Sequence, residues 1–205
     1  MQKKTILLLL IVFLASCAMP ETRIYSLKMP GSTGPSSAKG GLNVSSAETN
    51  AKPDATAVVL VNSPKYLTQP YIAFRSSPYQ LVISKYSKWD SSPDELVQSA
   101  FRGSLSSTGL FRDVRTSHVA PNGFYSLRID LKRFERSDED GLSFGEVAFD
   151  ASLFSPEGKS LYRSNITKKI RLEDRSFLSL AKGLSSALAE GVAEVKSDIE
   201  KSLRQ

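Results

Sequence analysis

Apolar residues recur along this chain with two distinct periods, and the change of period marks its elements. The run Thr56–Asn62 (TAVVLVN) is continuously apolar and β-branched, the pattern of a largely buried strand. Prolines 64, 70 and 78 then punctuate two short strands around Ile72–Arg75 and Gln80–Ser84, which suggests a hairpin. A helix is predicted next. Ser92 can cap it, Pro93 suits its first position, and Glu95 completes a Ser-x-x-Glu capping box. Leu96, Val97, Ala100, Phe101 and Leu105 then share one face, and Gly109 is a natural stop.

From Phe111 the period falls to two. FRDVRTS is followed by a strand in which Tyr125, Leu127, Ile129 and Leu131 alternate with Ser126, Arg128, Asp130 and Lys132. Val147, Phe149, Ala151 and Leu153 alternate in the next strand, Ser155-Pro156-Glu157-Gly158 forms a turn, and a strand returns through Tyr162, Ser164, Ile166 and Ile170. The last element spans about Ser176 to Leu203. Phe177, Leu180, Leu184, Leu188, Val192, Val195, Ile199 and Leu203 lie three or four apart, so it is a long amphipathic helix. This order predicts an α/β fold: a single domain with a mixed β-sheet and two main helices that both need the sheet to bury their apolar faces.

The N-terminal part follows other rules. Lys3 and Lys4 precede an apolar run from Thr5 to Leu14, then Ala15 and Ser16, then Cys17, the only cysteine among 205 residues. That is the pattern of a secretion signal, and the apolar run is shorter than the roughly 20 residues a membrane-spanning helix needs. A lone cysteine cannot close an intramolecular disulfide, and Leu14-Ala15-Ser16-Cys17 resembles the lipobox of bacterial lipoproteins, in which the thiol is acylated and the chain is cut just before it. The resemblance implies that Cys17 carries the lipid anchor, and Ala18 after it implies the outer membrane. Gly31–Asp54 is rich in Gly, Ser, Ala and Pro and reads as a flexible linker with an r.m.s. span of about 25 to 30 Å. Before it, Tyr25-Ser26-Leu27 either belongs to the linker or docks as an extra strand. The expected division is a signal peptide at 1–16, a lipidated terminus and linker at 17–55, and the domain at 56–205.

Charge changes this picture little. Removing residues 1–16 leaves 25 basic against 21 acidic side chains, scattered without a basic block interleaved with aromatics, so no nucleic acid is expected among the partners. His118 is the only histidine, which removes His-based metal clusters, Cys/His pairs and Ser-His-Asp triads within one chain. Asp138, Glu139 and Asp140 cluster in ERSDEDGLS, which reads as a solvated hairpin tip turned by Gly141 and does not match a calcium loop. No phosphate-binding glycine loop is present, and nothing selects a carboxylate pair for hydrolysis. No catalytic residue, cofactor or metal is therefore expected. Binding remains. Tyr66, Tyr71, Tyr79, Tyr86 and Trp89 fall among prolines within 24 residues and are the candidate partner-binding residues, with packing beneath the first helix the alternative for Trp89.

The stretch from Val61 to Phe111 resembles the PqiC-like ABC-transport auxiliary lipoproteins, through Pro64, Tyr66, Leu67, Pro70, Trp89 and Leu105 in the order and spacing of that family, together with the lipobox and Tyr25-Ser26-Leu27. Lys88 stands where an Arg often precedes the Trp, and the Gly/Ser linker is long. The resemblance implies a fold similar to the amino-terminal domain of TolB and other anticodon-binding-like domains. It also implies a non-enzymatic outer-membrane lipoprotein whose partners are a periplasmic MCE-domain protein and its ABC transporter, in phospholipid traffic between the membranes. A homo-oligomer is compatible with it. Two other classes stay open: an envelope-assembly lipoprotein that activates a peptidoglycan synthase or aids lipopolysaccharide insertion, and a hydrolase with an unassigned carboxylate pair.

Overall fold

The computed structural model describes residues 21–29 and 55–204, so the expected signal peptide, Cys17 and the expected linker lie outside the described residues. Eight strands and two α-helices follow in the order β1 (Arg23–Tyr25), β2 (Thr56–Asn62), β3 (Tyr71–Ser77), β4 (Gln80–Trp89), α1 (Pro93–Ser106), β5 (Asp113–Thr116), β6 (Tyr125–Glu139), β7 (Leu142–Phe154), β8 (Ser160–Arg171) and α2 (Phe177–Leu203). A short 3-10 turn, Lys65–Leu67, links β2 to β3. They form one mixed sheet, as the alternation of periods predicts.

Strand β6 is its centre. Along one edge it pairs antiparallel with the whole of β7, which pairs in turn with β8. Its other edge is divided. Tyr125–Asp130 pair in parallel with β2, which carries β5, while Arg136 and Ser137 pair in parallel with β3, which carries β4 and β1. A register shift between Leu131 and Arg133 lies at the junction. Before it Leu127, Ile129 and Leu131 point to the core; after it Phe134 does, so one extra residue exchanges the faces of β6. The tip is shorter than expected from ERSDEDGLS. Only Asp140 and Gly141 make the turn, with φ of 50° and 78°, while Glu135, Arg136 and Ser137 are buried inside the strand because β3 covers that edge.

Both helices pack on one face of the sheet. The capping box at Ser92 and Glu95 forms as predicted, and α1 turns Val97, Phe101 and Leu105 inward, leaving Leu96 and Ala100 half-buried toward α2. In α2 every fourth residue from Gly183 to Ile199 is buried. Glycine lets this helix approach: a Cβ on Gly145 of β7 would lie 3.2 Å from the Leu184 nitrogen, and one on Gly191 would lie 3.2 Å from Ile166 and Phe149.

The folded unit also reaches N-terminal of residue 56. β1 pairs with Ser87–Trp89 of β4, the Tyr25 ring meets Phe177 edge-on at 6.1 Å, and the Lys28 amide donates to the Ser185 hydroxyl. The strand is Arg23–Tyr25, so of the Tyr25-Ser26-Leu27 segment only Tyr25 lies in it. Three residues of mixed polarity carry too little pattern to announce a strand alone.

On the opposite face lies Glu135, fully buried. Arg75 Nε of β3 donates to its Oε1 at 2.5 Å, and the Tyr66 hydroxyl donates to its Oε2 at 3.1 Å while lying 3.3 Å from the Lys132 carbonyl. The carboxylate so ties the β2–β3 crossover and β3 itself to β6. A charge this deep is tolerated because both its oxygens are engaged. Burial, and then the adjoining Glu135 charge, push the Tyr66 phenol up to about 12.

Two predictions follow from this packing. Gly145→Val drives a side chain into the α2 backbone and should lower unfolding stability by about 1 to 3 kcal/mol in denaturant titration; unchanged stability would show that α2 is not held at this distance. The phenol at position 66 releases its proton at about pH 10 when unfolded and about 12 when folded. Its contribution to stability is thus complete below pH 10 and is lost as the pH rises toward 12. The stability difference between the parent and Tyr66→Phe should shrink across that window, whereas a constant difference would mean the phenol is not held by Glu135.

Candidate functional site

The five aromatic residues singled out by the sequence do not share one surface. Trp89 is 2% exposed, its ring edge-on to Phe134 at 5.7 Å, so it belongs to the core and offers nothing to a partner. Strand geometry explains this: successive side chains of β4 alternate, and Ser87 and Trp89 take the inward positions. Tyr66 is half-buried with its hydroxyl committed to Glu135. Tyr79 is 98% exposed in the β3–β4 turn, away from the others.

Tyr71 does have neighbours, two residues that sequence reasoning missed, and Tyr86 lies close by along β4. The register sets Tyr71 of β3, Lys88 of β4 and Ile24 of β1 side by side, and Tyr86 stands two residues before Lys88. The Lys88 ammonium lies 5.2 Å from the Tyr71 ring centroid, close enough for cation–π attraction. Ile24 and Tyr86 are 68% and 48% exposed. An aliphatic side chain and a tyrosine flanking a cation, with a second exposed tyrosine two residues along β4, form an amphipathic patch of the kind that anchors protein contacts. Ile24 could have been suspected from its position beside Tyr25 in RIYSL, where one of two neighbouring apolar residues must face outward if the segment is a strand.

Beyond this patch the same face of the sheet carries charges that neutralise one another. Arg133 Nη1 meets Glu146 at 2.9 Å, Lys132 Nζ meets Asp150 at 2.6 Å, and Lys169 Nζ meets Glu139 at 2.5 Å. Asp138 receives the Ser143 hydroxyl at 2.6 Å and pairs with Arg136 at 3.1 Å, so the acidic cluster seen in the sequence is partitioned among separate partners. His118 is exposed in the β5–β6 loop. Among the described residues no group of three His, Cys, Asp or Glu side chains is placed to hold a metal ion, and no helix is long and apolar enough to cross a membrane.

Comparison with known proteins bears on the same fold. The family model described as "ABC-type transport auxiliary lipoprotein component" matches residues 42–196. Among solved structures, protein XCC0632 from Xanthomonas campestris, of family DUF330, superposes with a TM-score of 0.69 at 16% identity, covering 89% of this chain and 97% of that one. A second, described as an uncharacterized protein, has a TM-score of 0.63 at 16% identity, covering 88% and 99%. At such identities the likeness is one of fold. No curated protein matches. Matched by the family model over most of its length, the chain belongs to the ABC-type transport auxiliary lipoprotein components.

Proposed function

We propose that the protein is a non-enzymatic, outer-membrane lipoprotein subunit of an MCE-type ABC phospholipid transport system. In this reading acylated Cys17 holds it to the outer membrane, Gly31–Asp54 is its tether, and the Ile24, Tyr71, Tyr86 and Lys88 patch docks a periplasmic MCE-domain protein. The observation that carries the reading is the family match over residues 42–196, since that family is one of transport auxiliaries. The Leu14-Ala15-Ser16-Cys17 sequence supports the anchor, and Ala18 supports the outer over the inner membrane. One acyl chain binds a bilayer weakly, so the several chains of a bacterial lipoprotein give the durable attachment a bridging subunit needs. The patch supports docking because its two tyrosines bury area at low cost in side-chain entropy.

Replacing residues 1–17 with a cleavable, cysteine-free signal separates anchor from domain. Cells carrying this form should hold the protein in the soluble periplasmic fraction and should become as sensitive to detergent as cells lacking the protein altogether, measured by plating on graded detergent. Released protein with unaltered detergent resistance would contradict the role, and an acylated parent found only with the inner membrane would contradict the placement.

A further inference from the structure

Between α1 and α2 runs a groove of about 520 Å³ that the patch does not involve. Leu27 and Met29 of the N-terminal segment stand at it, Ala100 and Gly103 line it from α1, and Ala189 and Ala193 line it from α2. Its volume is that of a small-molecule pocket, and eight of its twelve lining residues are apolar, the others being Ser99, Ser104, Ser107 and Lys196.

Gly103 is the informative residue. At Gly145, Gly183 and Gly191 a Cβ would strike a neighbour, so packing accounts for each glycine there. At Gly103, in the third turn of α1, an added Cβ meets nothing within 4 Å among the described residues, and the backbone is helical. Neither sterics nor dihedral angle asks for glycine, which is a poor helix former. What it does accomplish is to leave the groove wall bare.

Lys196 is the one ionisable side chain lining the groove. Its ammonium donates to the Ser107 hydroxyl at 3.3 Å and makes no ion pair with a carboxylate among the described residues. The site therefore joins a mainly apolar trough to the positive charge of Lys196. An extended peptide is a poor occupant, because its backbone N–H and C=O groups need partners and the helical walls have already used theirs. A hydrocarbon chain has no such need, and an anionic group on it would complement the lysine.

We infer that the groove between α1 and α2 binds one acyl chain of a phospholipid, with the phosphate at Lys196. The inference rests on the lipid-transport reading and deepens it: the subunit would handle lipid itself as well as dock its partner. Alanine, glycine and serine keep the trough open, and Leu27 and Met29 bound it.

The test uses the chain without its leader and lipid, residues 18–205, titrated calorimetrically with lysophosphatidylglycerols of increasing chain length below their micellar concentrations. Each added CH₂ should tighten binding about fourfold, the equivalent of about 0.8 kcal/mol per buried methylene. Gly103→Leu fills the trough with the length of more than one methylene and should weaken binding more than about tenfold while melting at the same or a higher temperature. Lys196→Gln should weaken the lysolipid by about two- to fivefold and leave a monoacylglycerol of the same chain unaffected. Affinity independent of chain length, or a Gly103→Leu protein that binds like the parent, would overturn the inference. A photo-crosslinker at Ala193 that captures a partner's helix in cells, with no lysolipid bound in vitro, would assign the groove to a protein instead. Either failure leaves the docking reading to stand or fall on its own detergent and crosslinking measurements.

Discussion

The edge of β6 that faces β2 and β3 is shared by two strands, and a sheet built this way needs something to hold the junction. Hydrogen bonds of the ladder cannot do it alone, because β3 contributes only the pairs Phe74–Arg136 and Arg75–Ser137. Glu135 supplies the rest. It lies one residue before those pairs, inside the protein, and takes Arg75 from β3 and Tyr66 from the crossover. On the reverse face Arg136 stacks on Phe74 at 4.5 Å and its guanidinium donates to the Arg175 carbonyl just ahead of α2. The two neighbouring residues thus fasten the β1–β4–β3 branch from opposite sides of the sheet. An ion pair buried in this manner gives little net stability over an apolar replacement, but losing one partner is costly, so it acts mainly to specify which strand lies where.

The placement of that branch decides what the surface can offer. Because β3 is fixed beside β6, β4 falls outside it and β1 outside β4, and these three strands present Tyr71, Lys88 and Ile24 in a row, with Tyr86 two residues before Lys88. Through β1 the N-terminal segment is led across the molecule to Ser185 on α2 and on to the groove between the helices. The N-terminal segment therefore passes the proposed docking patch and the proposed lipid groove on opposite faces of one sheet. A subunit arranged so can face a membrane-derived ligand and a protein partner at once.

Much of this fold is written in local pattern. The start of α1 is legible in Ser92-Pro93-Asp94-Glu95, because capping needs only those residues, β6 and β7 are legible because Tyr125–Leu131 and Val147–Leu153 alternate, and α2 because its apolar face recurs along the whole helix. Long-range arrangement is less so. Glu135 and Arg136 look like solvated charges in ERSDEDGLS, and only the arrival of β3, some 60 residues away in the chain, buries them. Trp89 reads equally well as an anchor for a partner or as core, since the face of a strand depends on its register and on any bulge before it. Tyr71 and Tyr86 were visible as candidates, but Ile24 and Lys88 join them only through pairing, and the groove at Gly103 arises from side chains that are absent, which periodicity does not count.

The most direct test of the account is a photo-crosslinking residue placed at Tyr86 in the full-length, lipidated protein in living cells, with the adducts identified by mass spectrometry. Adducts with a periplasmic MCE-domain protein or a subunit of its ABC transporter at Tyr86, absent when the crosslinker is moved to exposed Arg163 on β8, are the predicted result. A penicillin-binding protein or the lipopolysaccharide machinery recovered in their place would contradict the transport role, and equal capture at both positions would contradict the docking patch.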